Sequence, residues 1–349
     1  MFAHAAGVWA YKYKGKFYYF GPWNDPQGAL KRFETEMPFI YQGKTPPARV
    51  VNVGTLLDGW LGNKSADLDE GTITASTFKE YKATTDVIFK HFGEHWPVES
   101  IGPHNLVELR KALGKGTRKG VKTLGPVTLK RRLTIARMVF AYANEEFDVK
   151  VKYRKPLRSP PRVNIKAAER ERGLRLYGAG DVRKLVKKAE GEFKAMLLLG
   201  INCAFGPRDC ATLPTTAVNL AEGWHNYWRP KTQADRRCSL WPETVAAIKA
   251  VRGMELVFEG REWDRWMIGR EFATLCKAAK VENQGFYSLR RTFETIATTA
   301  DVPQAVIDSI MGHSKNDMAS IYRQKVFDEQ LKKCADHVHG WFLGSVVLK

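Results

Sequence analysis

A basic, proline-containing stretch in the middle of the chain, residues 150–175, limits most strongly how this sequence can fold. It holds ten Lys or Arg residues against two acidic residues, a net charge of +8. Its three prolines, Pro156, Pro160 and Pro161, argue against a helix. The stretch therefore predicts an extended basic linker between two folded regions. Such a dense charge of one sign favours contact with a polyanion over a linker that is merely soluble.

The chain as a whole is also basic. Its 349 residues suffice for two or three domains, and its net charge is +19 with 44% hydrophobic residues. This balance attracts a polyanion, of which nucleic acid is the commonest and an acidic membrane surface the alternative. No apolar run approaches the roughly 18 residues of a membrane span. The N-terminus lacks the charged start and apolar stretch of a secretory signal.

The five cysteines are scattered, odd in number and without a C-x-x-C pair. This spacing predicts buried free thiols in a reducing compartment, and it predicts no zinc site. The expected location is therefore the cytoplasm.

Residues 1–48 mix aromatic residues and lysines ahead of a short helical pattern. The Lys-Gly-Lys turn at 14–16 separates two β-prone runs, which predicts a hairpin. Asp25 and Pro26 predict the N-cap and first turn of a helix. A small sheet with exposed lysines and aromatic residues suits an arm that grips DNA. The alternative is an ordinary hairpin whose aromatic residues form its own core.

Apolar residues recur at helical spacing through residues 50–149, which predicts a helical domain. One predicted stripe consists of Phe78, Tyr81, Thr85, Ile88 and Phe89, and a second of Leu129, Leu133, Ala136, Val139, Phe140 and Ala143. Basic residues lie mostly off the second stripe, namely Lys130, Arg131, Arg132 and Arg137. These side chains are candidates for phosphate contacts, and the alternative is a helix face that is only solvated.

Residues 176–349 combine several helical patterns with one predicted hairpin, whose strands lie within 224–232 and 236–242 and whose turn is 233–235. Together with the N-terminal hairpin, this predicts a mainly α protein with small β-sheets, the α+β class. The sequence has no P-loop and no G-x-G-x-x-G motif.

Six polar residues of this last region occur in an order that suits chemistry on a DNA phosphate. They are Arg208, Lys231, Tyr287, Arg290, His313 and Tyr322. A phosphodiester under attack gathers negative charge on its non-bridging oxygens, which fixed Arg and His donors stabilise. A tyrosine hydroxyl can be the attacking group.

Each of these residues also has a structural interpretation. Arg208 can pair with Asp209 at a helix start. Lys231 can be a solvated lysine in a turn that also contains other cations. His313 can be structural, and Tyr322 can be a core aromatic residue on an apolar helix face.

The order of these residues resembles that of the tyrosine recombinases, or phage-type integrases. That family has Arg, a Lys on a β-hairpin, His/Lys-x-x-Arg, Gly-His/Trp and a Tyr nine residues after the histidine. The strings SLRRTFET and MGHSKNDMASIY resemble its second and closing motifs, and the match covers about 176–330. Two positions depart from the pattern: Tyr287 stands where His or Lys is usual, and Ala211 where an acidic residue is usual.

The resemblance implies a domain order. Residues 1–48 would be a β-rich, arm-like DNA-binding region, and 50–149 a helical core-binding domain. Residues 150–175 would be the basic linker, and 176–349 the catalytic domain with a C-terminal tail.

The resemblance also implies an activity, site-specific DNA recombination for integration or excision of a mobile element such as a phage. Tyr322 would attack phosphorus to give a 3′-phosphotyrosyl link, while Lys231 protonates the leaving 5′-oxygen. Arg208, Arg290 and His313 would hold the non-bridging oxygens, with Tyr287 as a hydrogen-bond donor. Neither ATP nor a metal or other cofactor is required.

The implied partners are double-stranded DNA and three further copies of the chain, with an accessory DNA-bending protein in a prokaryotic nucleoid. Cations of the linker and beyond are expected to contact DNA, namely Lys152, Arg154, Lys155, Arg158, Arg162 and Arg291. The tail would pack on a neighbouring copy through Val326, Leu331, Val338, Trp341, Phe342 and Leu343. The alternative is a tail that folds back on its own domain.

Two other functions stay open from the sequence. One is a type IB topoisomerase-like enzyme with the same chemistry and no choice of site. The other is a catalytically idle DNA-binding relative, for which Tyr287 and Ala211 are the support.

Overall fold

The computed structural model describes residues 1–44, 50–116, 123–229, 233–313 and 326–346. The chain divides into two compact units, Met1–Arg172 and Gly173–Lys349. Three hydrophobic clusters form the cores, two of them within the first unit.

An antiparallel three-stranded sheet and one helix open the first unit. They are β1 (Phe2–His4), β2 (Val8–Tyr13), β3 (Lys16–Pro22) and α1 (Pro26–Tyr41). The predicted hairpin is β2–β3, and its turn residues Lys14 and Gly15 both have positive φ, as a tight two-residue turn requires. The Asp25 carboxylate accepts a hydrogen bond from the Gly28 amide at 2.9 Å, so the predicted N-cap is confirmed. Strand β1 was not predicted.

The aromatic residues of this sheet divide between its two faces. Phe20 is buried with Ala29 and Met37 of α1. His4, Phe17 and Tyr19 contact each other edge to face or stacked, and both Phe17 and Tyr19 are exposed. The sheet therefore has its own aromatic core on one side and an exposed aromatic surface on the other.

Four helices build the second core of the first unit. They are α2 (Val53–Asp69), α3 (Ala75–Phe92), α4 (Pro103–Leu113) and α5 (Pro126–Glu146), with a short 3₁₀ turn at Val98–Ser100. The predicted stripe of α5 is buried, with Leu129 only partly so. On α3 the prediction for Phe89 is wrong, because this ring is exposed and Phe92, four residues after Ile88, completes the buried face.

The basic stretch 150–175 is not extended throughout. Helix α6 (Arg162–Arg172) occupies its second half and buries none of its residues. The prediction of a helix-free segment is wrong because Pro160 and Pro161 precede the first helical residue, where a missing amide proton costs no intrahelical hydrogen bond. The Pro161 carbonyl accepts a hydrogen bond from the Asn164 amide at 3.1 Å, at the start of α6. Ahead of α6, Val151 and Leu157 are buried in the helical core.

The second unit surrounds one large core. Its helices are α7 (Ala179–Lys188), α8 (Gly191–Asn202), α9 (Pro207–Ala211), α10 (Pro242–Lys249), α11 (Arg265–Ala279), α12 (Tyr287–Ala297), α13 (Gln304–Met311) and α14 (Asp328–Leu343). Its antiparallel sheet has the order β4 (Val218–Asn219), β5 (Trp224–Asn226) and β6 (Arg237–Ser239), next to a 3₁₀ turn at Thr215–Ala217. Strands β5 and β6 form the predicted hairpin, and β4 adds a third strand.

Helix α14 packs on its own domain. Leu331, Val338, Trp341 and Phe342 are buried in the core of the second unit. The Trp241 ring stacks on the Phe342 ring at 5.3 Å, and its indole donates to the Ala335 carbonyl at 3.1 Å. The expectation of packing on a neighbouring copy is therefore wrong for Leu331, Val338, Trp341 and Phe342, because their own domain covers them. Leu343 is exposed.

The two small sheets and the predominance of helix confirm the α+β class. Within the described parts of the chain, no helix has the length and apolar character needed to cross a membrane.

Candidate active site

Arg290 is the buried centre of the candidate site. It lies in the first turn of α12 and is 1% exposed. Its guanidinium donates to the carbonyls of Ala204 and Met311, each at 2.7 Å. Burial and, second, the nearby charge of Arg229 lower the pKa of Arg290 to about 10. The guanidinium remains protonated at neutral pH, and it joins the end of α13 to the loop before α9.

His313 contacts Arg290 directly. Arg290 Nη2 and His313 Nε2 are 3.0 Å apart, and the Asp308 carboxylate lies 3.5 Å from Nδ1. Because a guanidinium can only donate, Nε2 must accept, so the proton of a neutral imidazole sits on Nδ1, facing Asp308. Burial and then the charge of Arg290 lower the pKa of His313, partly opposed by Glu294 and Asp308.

Gly312, the residue before His313, allows close packing at the end of α13. It ends α13 with φ +61, the left-handed conformation that favours glycine at a helix C-terminus. A Cβ at this position would lie 2.6 Å from Cδ of Arg236 and 3.1 Å from Cβ of Arg229. Gly312 therefore lets the end of α13 pack closely against the β5–β6 hairpin.

Arg208 and Tyr287 lie next to the same loop. Arg208 is the second residue of α9 and is exposed, so its charge needs no buried partner. Tyr287 begins α12, is 44% exposed and has its ring 3.4 Å from the position of a Cβ on Gly206. Arg290 bonds to Ala204, only four residues before Arg208. Arg290 and Tyr287 thus both lie against the loop before α9, Arg208 follows this loop in α9, and His313 is joined to it through Arg290.

Asp209 pairs with Arg236 and not with Arg208. Its carboxylate accepts from the Gly206 amide at 2.7 Å and lies 3.4 Å from Nη1 of Arg236. Arg236 is buried, with its guanidinium 4.4 Å from the Phe205 ring centre and its Nε donating to the Tyr227 carbonyl. The structural interpretation of Arg208 as the partner of Asp209 is therefore wrong.

Arg229 and Arg236 are site cations that sequence reasoning did not select. Both are buried, and both influence the pKa of Arg290. Their position on either side of Lys231 in the predicted hairpin was the one sequence feature that could have indicated this role. At that position they look like ordinary turn residues. Only packing against Gly312 makes them part of the site.

Two predicted catalytic residues, Lys231 and Tyr322, lie outside the described residues. The described chain borders them at Arg229 and Gln233, and at His313 and Val326.

The predicted DNA-contacting cations differ in what they already bind. Seven are exposed, namely Lys130, Lys152, Arg154, Lys155, Arg158, Arg162 and Arg291. Arg131 is also exposed but forms an ion pair with Glu80 at 2.8 Å. Arg132 donates to the carbonyl of Leu113 at 3.1 Å, and Arg137 to the hydroxyl of Thr134 at 3.0 Å. The Arg132 bond joins α5 to the end of α4, whereas this Arg137 bond lies within α5.

Comparison with solved structures identifies the fold as that of the tyrosine recombinases. The chain is similar to a λ integrase dimer bound to a COC′ core site, with a TM-score of 0.60, 14% identity and coverage of 94% of this chain and 96% of that one. A λ integrase tetramer bound to a Holliday junction gives a TM-score of 0.60 at 14% identity, covering 93% and 97%. The integrase of transposon Tn1549, in complex with transposon right-end DNA, gives 0.58 at 15% identity, covering 80% and 96%.

No protein-family model and no curated protein sequence matches this chain.

Proposed function

We propose that this chain is a site-specific DNA recombinase of the tyrosine recombinase family, which cuts and rejoins DNA strands through a 3′-phosphotyrosyl intermediate. The observation that carries this proposal is the direct contact of Arg290 with His313, at 3.0 Å. These two residues are 23 positions apart, and the sequence pattern had assigned them to one phosphate. Tyr287 lies beside the loop that Arg290 contacts, and Arg208 lies in the helix that follows this loop.

The proposed reaction needs no external energy source. The Tyr322 hydroxyl loses its proton to solvent, and its oxygen bonds to phosphorus as the bond to the 5′-oxygen breaks. Lys231 gives a proton to the leaving 5′-oxygen. Arg208 and Arg290 stabilise the charge that develops on the non-bridging oxygens. The ester to tyrosine keeps the energy of the broken bond, so a 5′-hydroxyl of another strand can reverse the step.

His313 changes its role when the phosphate enters. In the free chain its Nε2 accepts from Arg290, so the neutral ring offers no donor to a phosphate on that side. A phosphate draws Arg290 away and favours the imidazolium, which then donates from the same nitrogen. Tyr287, half-exposed beside the loop, is a neutral donor where the family has His or Lys.

The rest of the chain supplies DNA contacts in this proposal. The exposed aromatic and lysine face of the N-terminal sheet grips DNA as an arm, and the 50–149 region binds next to the cleavage site. The exposed cations of 150–175 follow the DNA backbone. The chain works as a tetramer on two duplexes of a phage or other mobile element, with an accessory DNA-bending protein, in the cytoplasm of a prokaryotic cell.

Covalent trapping tests the proposal. The full chain is mixed with labelled, nicked duplexes from the ends of the element that encodes it, with Tyr322→Phe in parallel. The expected result is an SDS-stable, protease-sensitive adduct with the wild type alone. An adduct that persists with Tyr322→Phe would remove Tyr322 as the nucleophile.

The same experiment distinguishes the alternatives. Salt-sensitive binding without an adduct would favour a catalytically idle DNA-binding protein, which Tyr287 and Ala211 support. An adduct together with relaxation of supercoiled DNA, and no exchange between partner sites, would favour a topoisomerase-like enzyme.

A further inference from the structure

Three side chains of metal-ligating type meet inside the second unit. They are Cys203 at the end of α8, His225 on β5 and Cys238 on β6, and their ligand atoms all lie within 4.8 Å of one another. All three residues are 0% exposed. His225 and Cys238 are direct partners in the β5–β6 pairing, so their side chains point to the same face of the sheet.

The imidazole of His225 lacks hydrogen-bond partners. Neither Nδ1 nor Nε2 has one among the described residues, although both atoms are buried. The Phe205 ring contacts it edge to face at 5.0 Å and offers no acceptor. Buried polar groups in native proteins are nearly always satisfied, and a bound ion is one recognised reason for an exception. A cation bound to one ring nitrogen of His225 would give that nitrogen a partner.

The two thiols suit the same cation. Cys238 Sγ lies 3.5 Å from the carbonyl of Asn202 and 3.4 Å from that of Ser239, as a weak S–H donor. Metal binding would release the protons of both thiols to solvent. Thiolate and imidazole ligands favour zinc and exclude the hard cations magnesium and calcium. Zinc with two thiolates and a neutral imidazole has no net charge, so the complex can be buried beside the cation Arg236.

We propose that Cys203, His225 and Cys238 bind one zinc ion. Their separations of 22 and 13 residues in the sequence carry no metal-binding signature, which is why the cysteine pattern predicted no zinc site. Structural zinc is tetrahedral, so a fourth ligand is required. The fourth ligand would be a water or Cys334 of α14, a buried thiol near Cys238.

A zinc ion bound here would stabilise the arrangement of the candidate active site. Cys203 precedes Ala204, which has a left-handed φ of +55 and whose carbonyl accepts from Arg290. His225 and Cys238 belong to the hairpin that carries Arg229 and Arg236. A zinc ion would therefore join the acceptor of Arg290 to the hairpin, and would offset the strain of a non-glycine residue in this conformation.

Metal analysis of the full chain tests the site. The protein is purified under reducing conditions, stripped with a chelator and reloaded with zinc, and its bound zinc and thermal unfolding are measured. We expect one zinc per chain, a raised unfolding temperature on loading, and thiolate-to-cobalt charge-transfer absorption when cobalt replaces zinc. No bound zinc, no shift in unfolding and no such absorption would overturn the proposal.

Variants locate the ion. Cys238→Ser and His225→Gln should lose the zinc, and Cys276→Ala, which removes a buried thiol of α11, should keep it. Zinc retained by both ligand variants would place the ion elsewhere and overturn the proposal. A mass two hydrogens short, from a Cys203–Cys238 disulfide in the reduced preparation, would also overturn it. If the variants fail to fold, the cobalt spectrum of the wild type still decides, and no readout depends on recombination.

Discussion

At the scale of the residue, Arg208 and Arg290 show how one side-chain type serves two purposes. Arg290 is buried and donates to two carbonyls, so it holds the domain together, and in the proposed function it also offers its charge to a phosphate. Arg208 is exposed on α9, and in the proposed function its charge contacts DNA.

Alanine substitutions at these two positions should separate the effect on adduct formation from the effect on stability. Arg208→Ala should reduce covalent adduct formation by about 10²–10³-fold, as for loss of one donor to a transition state, with the free energy of unfolding nearly unchanged. Arg290→Ala should lose activity and also about 2–5 kcal/mol of stability, because two buried carbonyls lose their donor. Urea unfolding and the trapping assay measure the two effects. Equal destabilisation by both substitutions would contradict this difference.

The lowered pKa of His313 predicts a dependence of DNA binding on pH. Burial and Arg290 keep its imidazole neutral in the free chain, and a bound phosphate favours the charged ring. DNA binding should then take up a proton, so affinity should rise as pH falls from 8 to 6. Without DNA, the stability of the fold depends on pH in the opposite sense. The unfolded chain binds a proton at a higher pH than the folded chain does, so the free energy of unfolding falls as pH drops below the ordinary histidine pKa.

Anisotropy titrations at constant ionic strength measure this effect. His313→Gln should flatten the dependence, and His337→Gln, on α14, is the matched control. An unchanged pH profile for His313→Gln would show that another group takes up the proton.

At the scale of the element, the contact of α8 with α12 positions the site. Gly200 on α8 faces Leu289 on α12, and a Cβ at Gly200 would lie 2.9 Å from Leu289 Cδ1. Leu289 immediately precedes Arg290. The closeness of these two helices therefore sets how far Arg290 reaches toward the loop before α9.

Gly200→Ala should push the two helices apart. We expect a loss of about 1–3 kcal/mol, as for other overpacked cores, together with weaker adduct formation. Gly269→Ala on α11 is the control, because a Cβ there meets no atom within 4 Å. Alanine at that helix position should stabilise the fold by about 0.5–1 kcal/mol. Chemical denaturation measures both, and a Gly200→Ala variant as stable as the wild type would rule out close packing at this contact.

At the scale of the whole molecule, the net charge of +19 should govern the salt dependence of the proposed DNA binding. The exposed cations of 150–175 account for a large part of this charge. Helix α6, which lies within that stretch, has no buried residues. Replacing Arg154, Lys155 and Arg158 by Gln should lower the slope of log affinity against log salt by up to about 3, since each phosphate that the chain neutralises adds roughly 0.9 to that slope.

A charge-matched control tests whether position matters. Replacing Lys187, Lys188 and Lys277 by Gln removes the same charge from exposed positions of α7 and α11. This second variant should change the slope less. Equal slopes for the two variants would mean that net charge alone, and not the linker, sets the salt dependence.

Features that depend on neighbours along the chain were predictable from the sequence alone. Helical spacing predicted the buried stripe of α5, Asp25 predicted the start of α1, and the turn at 14–16 predicted the first hairpin. The motif order likewise predicted that Arg290 and His313 lie close together, and they are 3.0 Å apart. Side-chain periodicity and capping act over a few residues, so a linear pattern is enough to reveal them.

The contacts between distant side chains were visible only in the three-dimensional packing. It paired Asp209 with Arg236, brought Arg229 against Gly312, and assembled Cys203, His225 and Cys238 from three elements. It also buried α14 in its own domain, which the apolar pattern of the tail could not distinguish from packing on another copy. These outcomes depend on how helices and strands pack in three dimensions, because a buried charge or thiol is stabilised by whichever partner the packing brings near it.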